Sequence, residues 1–193
     1  MKKIEAIQIL QNSRKNLFSL SDLKKLMSIE EDNTAYHQAM GLIKAGVLER
    51  VVKGMYLLSS RVPSDFEVAN CIYTPSYISL ESALNYYGIL IQTPQQILSI
   101  TTNITKQIYT GRKCFSFRHL NAKYFTDYQK VDNFLIATPE KALIDSMFFV
   151  ALGRGSLFLE ELLLDKIDVK RVKELASKIE NTAFIKYFKT VKL

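Results

Sequence analysis

The sequence predicts an α+β protein: an N-terminal winged helix-turn-helix over residues 1–60, then a mixed α/β domain with a small sheet and C-terminal helices over residues 64–193. Three helical patterns and a hairpin signal follow one another in the first part, whereas strand and helix patterns are mixed in the second. The run "SSRVPSDFEV", with its Ser, Pro and Asp residues, indicates a boundary between them. The 193 residues, 48% hydrophobic and 23% charged, suit one large or two small globular domains.

The first two helices are predicted from the spacing of their apolar residues. In "KIEAIQILQN", Ile4, Ile7 and Leu10 recur at helical intervals. The second segment, "SLSDLKKLMS", has either Ser19 or Ser21 as its N-cap. Its buried face is predicted to consist of Leu20, Leu23, Leu26 and Met27.

A third helix and a hairpin complete the predicted first domain. The helix has Asp32 or Asn33 as its N-cap and ends at Gly46, because glycine accepts the left-handed conformation that stops a helix. In "VLERVVKGMYLLS", β-prone residues flank Lys53-Gly54, which is a signal for a tight turn. In a winged helix-turn-helix the third helix enters the major groove, and the hairpin, or wing, lies beside the DNA backbone.

The polar side of the third helix supplies the candidate base contacts. These residues, opposite its apolar side, are Asn33, Thr34, His37, Gln38 and Lys44. Asn and Gln pair bidentately with adenine, and Arg50 and Lys53 on the wing would contact phosphates. Winged helices also serve as structural or protein-binding modules, and the three acidic residues at positions 30–32 oppose phosphate approach. Both interpretations remain open, as do a base contact and a solvated surface position for His37.

The predicted second domain begins with two helices, which are followed by strands and then by further helices. Ser64 is the predicted cap of "DFEVANCIY", and Ser79 that of a helix from Leu80 to about Tyr87 that ends at Gly88. Strands are predicted over 96–103, 113–120 and 133–138. Thr138 and Pro139 open the helix in "TPEKALIDSMFFVALG". Two or three more helices are predicted in "SLFLEELLLDKI", "DVKRVKELASKIE" and "NTAFIKYFKTVKL".

The positive charge favours an anionic partner, nucleic acid first. The net charge is +7, and the first 62 residues carry ten basic and six acidic side chains. Residues 106–130 hold six basic side chains against Asp127 alone, and those of the predicted second-domain basic patch are Lys106, Arg112, Lys113, Arg118 and Lys123. Aromatic residues among them suit base stacking. The favoured interpretation of Phe115 and Phe117, however, is the buried side of a strand. The alternative to an anionic partner is that the net positive charge only keeps the protein soluble.

Several classes of site are not predicted. Cys71 and Cys114 lie far apart and form no ligand cluster with the two histidines, so no metal is expected. No phosphate loop or catalytic signature is present, so neither a cofactor nor an enzymatic activity is predicted. A nuclease that relies on Glu81 and Asp145 is the remaining enzymatic alternative. In the structural interpretation of these two residues, Asp145 is bonded to Lys141 or to a loop. Glu81 then has a helix-surface or capping role.

The N-terminal segment is too charged for a signal peptide, and no window of about 18 residues is free of charge. No membrane span is therefore expected. Two isolated thiols suit a reducing compartment, so the expected location is the cytoplasm.

Four segments in order carry a resemblance to a known family. They are "PSYISLESALNYYGIL", "ILSITTN", the basic aromatic "GRKCFSFRHL" and "IATPEKALIDSM". Together they resemble the AbiEi family of antitoxins, and the upstream "AGVLERVVKGMYLL" is similar to the end of that family's N-terminal winged helix. The resemblance covers nearly the whole chain. The chain departs from the family in having only Arg50 and Lys53 as basic residues on the wing.

This resemblance implies a bacterial antitoxin of a type IV toxin–antitoxin pair. In that family the winged helix binds operator repeats, so that several copies can lie side by side on the DNA, and represses its own operon. The C-terminal domain counteracts a nucleotidyltransferase-like toxin without requiring a stable complex. "SYISLESALNYYG" would then be a scaffold helix beside the sheet, with Ser79, Glu81 and Ser82 as candidates for a functional surface. The alternative is a winged-helix protein whose basic second domain binds nucleic acid or a protein partner, without operator-specific regulation.

Overall fold

A computed structural model describes residues 3–13, 15–111 and 113–191, which form a mixed α+β structure with eight α-helices and two sheets. The chain divides into two compact units at the boundary between Ile72 and Tyr73. Within the described residues, no helix has both the length and the apolar character that a membrane span requires.

The first unit combines four helices with a small antiparallel sheet of strand order β1-β3-β2. Its elements are α1 (Lys3–Asn12), β1 (Leu17–Ser19), α2 (Leu20–Leu26), α3 (Asp32–Lys44), β2 (Leu48–Val52), β3 (Met55–Leu58) and α4 (Asp65–Ile72). The core includes Leu10, Phe18, Leu23, Leu42 and Tyr56, all almost fully buried. Of these elements, β1 was not predicted, because a three-residue strand is too short to show an alternating pattern.

Local capping chemistry sets the start of α2 and the end of α3 in the first unit. Ser19 caps α2, and its hydroxyl accepts from the Asp22 amide at 3.0 Å while Asp22 bonds back to Ser19. The predicted N-cap of α3 was wrong, since Glu31 occupies that position without a side-chain cap bond. Asp32 is already helical, and its carboxylate instead pairs with Lys24. Gly46, with φ +70°, ends the helix as predicted.

The segment after β3 is anchored to the first unit by polar contacts. The Arg61 guanidinium donates to the carbonyls of Gln11, Ser13 and Lys15 and to Asn16 Oδ1, at 2.7–3.2 Å. The Asn16 amide in turn donates to both carboxylate oxygens of Glu67, a buried residue of α4. These contacts lie within the first unit, which includes α4 and ends at Ile72, although the predicted second domain begins at residue 64.

A mixed six-stranded sheet organises the second unit. Its order is β6-β7-β5-β4-β9-β8, in which β7 runs parallel to β5 and β9 parallel to β4, and the other neighbours are antiparallel. The strands are β4 (Ser76–Ile78), β5 (Gln96–Thr101), β6 (Lys106–Thr110), β7 (Lys113–His119), β8 (Tyr128–Val131) and β9 (Phe134–Ala137). The helices are α5 (Leu80–Tyr86), α6 (Pro139–Ala151), α7 (Val169–Ser177) and α8 (Thr182–Thr190).

The three predicted strands correspond to β5, β7 and β9, whereas β4, β6 and β8 were not predicted. These three are short and lack clear alternation, so their strand conformation depends on pairing with neighbours. Helix α5 packs on β5, and α6 contacts α5, α7 and α8. Thr138 caps α6 as predicted, because its hydroxyl accepts from the Lys141 amide.

One predicted helix is wrong. The segment "SLFLEELLLDKI" contains two short 3₁₀ turns, Leu159–Glu161 and Leu164–Lys166, instead of an α-helix. Leu162 forms an antiparallel bridge with Leu90, and the Leu163 amide donates to the Ile89 carbonyl at 2.9 Å. These long-range backbone bonds replace the helical ones, so tertiary pairing overrides the local propensity of the leucines.

Candidate functional site

The exposed side of α3 brings the predicted base contacts together on one helix. We call this set, Asn33, Thr34, His37, Gln38 and Lys44, the α3 face. Gln38 is half-buried and the other four residues are exposed. Ala35, Ala39 and Leu42 are buried on the opposite side and fix the rotation of the helix. Gly41 follows His37 by one turn, and a Cβ built on it would meet no atom within 4 Å.

The acidic start of α3 is partly compensated within the first unit. Lys24 of α2 approaches the Asp32 carboxylate to 2.5 Å, which reduces its repulsion toward an approaching anion. The Thr34 hydroxyl lies 3.5 Å from Glu31 Oε2, within reach of a weak hydrogen bond. Lys44 occupies the last turn, where a cation complements the helix dipole.

The β2–β3 hairpin presents the two predicted phosphate contacts. Val52 and Met55 pair across the turn formed by Lys53 and Gly54, and Gly54 has φ +80°. Lys53 is exposed at this turn, and Arg50 is exposed on β2. Because β2 packs against α3, the hairpin cations and the α3 face belong to one small unit.

The predicted basic patch of the second unit has varied surroundings. Lys106 lies 5.4 Å from the Tyr73 ring centroid, and Lys123 pairs with Glu180 at 2.7 Å. Arg118 is half-buried and donates to the Arg154 carbonyl at 2.9 Å. Lys113 is exposed at the start of β7, and Arg112 lies outside the described residues. Phe115 and Phe117 are buried as the inner side of β7, which confirms the structural interpretation of those two rings.

A buried polar cluster joins the sheet to α6. Asp145 Oδ1 accepts from the Lys141 ammonium, as the sequence predicted. Asp145 Oδ2 accepts from the Tyr77 hydroxyl at 3.0 Å and the Ser79 hydroxyl at 2.8 Å. All four residues are at most 4% exposed. Burial, followed by the charge of Asp145, raises the pKa of Tyr77 well above its ordinary value, so the phenol remains a donor.

This cluster explains the local geometry at the start of α5. Ser79 stands at the N-cap position, but its hydroxyl is committed to Asp145 and makes no cap bond, which differs from the predicted capping. Leu80, the next residue, is buried with φ +55°, a left-handed conformation that is unfavourable for leucine. The Asp145 carboxylate therefore holds the connection between β4 and α5 in place, and the cluster has the contacts of a structural element.

Cys71 is expected to be a poor nucleophile. Burial, together with the charge of Glu67, raises the pKa of its thiol to about 11. The thiolate is the reactive form, so alkylation by iodoacetamide at pH 8 should be about a hundredfold slower than for an unperturbed thiol, and should accelerate as pH approaches 11. Timed alkylation followed by peptide mass spectrometry measures this rate. A Cys114→Ser variant isolates the Cys71 signal, and rapid labelling of Cys71 at pH 8 would contradict the expectation.

Glu81 lies in the first turn of α5 and lines a cavity together with Arg118 of β7. This neighbourhood was not predicted, because the two residues are on separate elements.

Within the described residues, no group of three or more His, Cys, Asp or Glu side chains is arranged to hold a metal ion. In comparisons with known proteins, no family model matches this chain, and no curated protein is significantly similar to it.

Proposed function

We propose that this chain is a DNA-binding regulator of the antitoxin type, in which the first unit is a winged helix-turn-helix that binds operator DNA. The observation that carries the proposal is the element order α1-β1-α2-α3-β2-β3, with an exposed polar α3 face beside a hairpin that carries Arg50 and Lys53. The protein acts in the cytoplasm by binding rather than by catalysis and represses its own operon. More than one copy can lie along the repeated operator.

The division of labour in the first unit follows from side-chain chemistry. Gln38 and Asn33 have amides that can read adenine, whereas Lys53 and Arg50 supply charge for phosphates. The three acidic residues at positions 30–32 limit non-specific attraction, so discrimination between sequences depends on the α3 face. The antitoxin part of the proposal, in which the second unit counteracts a nucleotidyltransferase-like toxin without a stable complex, is supported by the resemblance of the sequence segments.

Fluorescence anisotropy with labelled DNA tests this proposal. The purified protein is titrated with the DNA upstream of its own gene and with a scrambled duplex, at several salt concentrations. Tighter binding to the native sequence, with a log–log salt slope of about −0.9 for each phosphate contact, is the expected result. Equal and weak binding to both duplexes would contradict operator recognition.

Variants of the two surfaces should have different effects. We expect Gln38→Ala to weaken native-sequence binding by about 1–3 kcal/mol and to change scrambled-duplex binding little. Lys53→Ala should weaken binding to both duplexes and make the salt slope shallower by about 0.9. Lys170→Ala, which removes an exposed lysine from α7 of the second unit, is the matched control. Equal losses on both duplexes for Gln38→Ala would refute its assigned contact.

A second candidate function is a winged-helix protein whose second unit binds nucleic acid or a protein partner without operator-specific regulation. The observation in its favour is Tyr109 on the edge strand β6, which is 70% exposed and close in sequence to Lys106 and Lys113. An exposed aromatic residue among cations suits the stacking of unpaired bases. In the anisotropy experiment this function would give tighter binding to single-stranded DNA than to either duplex.

A further inference from the structure

A groove of about 330 Å³ lies between α7 and α8 of the second unit. Both helices pack against α6, and the groove is the space that remains between them. Its apolar lining consists of Ala176, Ile179, Phe184, Ile185 and Phe188. None of the residues proposed to contact operator DNA belongs to this lining.

The accessible apolar surface of the groove belongs to α8. Ile185 is 39% exposed and Phe188 is half-buried, whereas Phe184 and Ile179 are buried and close the groove on its inner side. The Phe184 ring stacks on Phe188 at a centroid distance of 5.6 Å and contacts Phe148 of α6 at 6.0 Å, which holds both rings in place. A recessed apolar surface of this kind accepts side chains from a partner, whereas binding to a bilayer depends on apolar side chains that enter the lipid.

Two lysines flank the groove. Lys173 of α7 and Lys189 of α8 are exposed and belong to its lining, which includes no Asp or Glu among the described residues. Lys173 precedes Ala176 by three positions, and Lys189 follows Ile185 by four. Each lysine is therefore about one helical turn from an apolar lining residue on the same side of its helix.

The acidic residues of this part of the chain are paired with other cations. Glu174 of α7 binds Arg171 at 2.7 Å and Lys178 at 3.0 Å. Glu180, which precedes α8, binds Lys123 at 2.7 Å. Neither flanking lysine takes part in these pairs, so the positive charge beside the groove is available to carboxylates of a partner.

We propose that the groove binds an acidic amphipathic helix of a partner protein. Apolar side chains of that helix contact Ile185 and Phe188, and its carboxylates pair with Lys173 and Lys189. In this helix-in-groove mode, apolar residues at positions i, i+3 or i+4, and i+7 anchor the bound helix. Nucleic acid fits this surface less well, because its phosphates gain nothing from a lining that is mainly apolar.

Fluorescence anisotropy of labelled synthetic peptides with the full chain tests the proposal. The probe is a peptide of about 18 residues with leucine at positions i, i+3, i+4 and i+7 and glutamate on the other side of the helix. Two reference peptides have the same composition in scrambled order, or lysine in place of glutamate. The acidic amphipathic peptide should bind about tenfold or more tightly than either reference.

Charge reversal locates the binding surface. The double variant Lys173→Glu, Lys189→Glu should bind the acidic peptide about tenfold or more weakly and the lysine peptide more tightly than the original protein does. The matched control, Lys170→Glu with Lys186→Glu, makes the same change of charge on the same two helices outside the groove lining. Its affinity for the acidic peptide should stay within about threefold of the original, because salt screens distant charges. All four lysines are exposed, so both double variants should keep similar melting temperatures.

Several results would overturn the proposal. They include no measurable binding of the acidic peptide, equal affinity for the scrambled peptide, and equal losses in the two double variants. Binding to phosphatidylglycerol vesicles in place of the peptide would identify a lipid surface. A dimer in analytical ultracentrifugation that the Lys173→Glu, Lys189→Glu variant dissociates would identify a second copy of the chain as the occupant. Operator binding is measured separately on DNA, so failure here leaves the function proposed for the first unit unaffected.

Discussion

Asp145→Ala is expected to lower the free energy of unfolding of the second unit by about 3–5 kcal/mol, the range for breaking a buried ion pair from one side. The substitution leaves the Lys141 ammonium buried without its carboxylate. It also removes the acceptor of the Tyr77 and Ser79 hydroxyls, which are buried as well. Urea unfolding followed by circular dichroism measures the loss.

Two further variants separate the charge from the hydrogen bonds. Asp145→Asn keeps an oxygen acceptor for Tyr77 and Ser79 but leaves the buried Lys141 ammonium without a negative charge. This variant should therefore be strongly destabilised too. The double variant Lys141→Met, Asp145→Asn removes both charges and should recover most of the lost stability, because apolar replacement of a buried pair is often close to neutral. If Asp145→Asn alone unfolds at the same urea concentration as the original protein, the charge is not what holds this cluster.

Arg61→Ala is expected to destabilise the first unit by at least about 2 kcal/mol, since one charged donor group serves four acceptors there. Three of these acceptors are carbonyls at and just after the end of α1, which have no helical partner of their own. The loss should also loosen α4, because Asn16 connects Arg61 to Glu67. Thermal unfolding of the full chain is the measurement.

Arg61→Lys is the matched control, because it keeps the charge. An ammonium cannot reproduce the planar fork of the guanidinium, so this variant should recover only a minor part of the stability. A fragment of residues 1–72 should likewise fold more stably than one of residues 1–60, which lacks both Arg61 and α4. Equal stability of the two fragments would contradict the anchoring of this segment.

The features that the sequence predicted correctly are those set by local chemistry. Thr138 with Pro139, Ser64 and Gly46 mark helix ends through contacts within a few residues, so their patterns suffice. The Lys141–Asp145 pair was also predictable, because residues four apart meet on one side of a helix.

The features that the sequence did not predict depend on pairing between distant segments. Strands β4 and β6 have weak sequence patterns of their own. Pairing with β5 and β9 stabilises β4, and pairing with β7 stabilises β6. Tyr77 and Ser79 reach Asp145 across more than sixty positions of the chain. The cavity that joins Glu81 to Arg118 has the same origin, since only the folded sheet places the end of β7 beside the first turn of α5.

Because Gly41 has no side chain, it leaves a gap on the exposed surface of α3 beside the α3 face. Nothing within the described residues fills the space beside it, so alanine would fit there and would stabilise an exposed helix interior by about 0.5–1 kcal/mol. Selection for folding alone would favour that replacement. For a partner that lies along α3, the missing methyl group allows the partner's backbone to come closer to the helix axis between His37 and Lys44. Position 41 is thus where the needs of folding and of close docking would select for different residues.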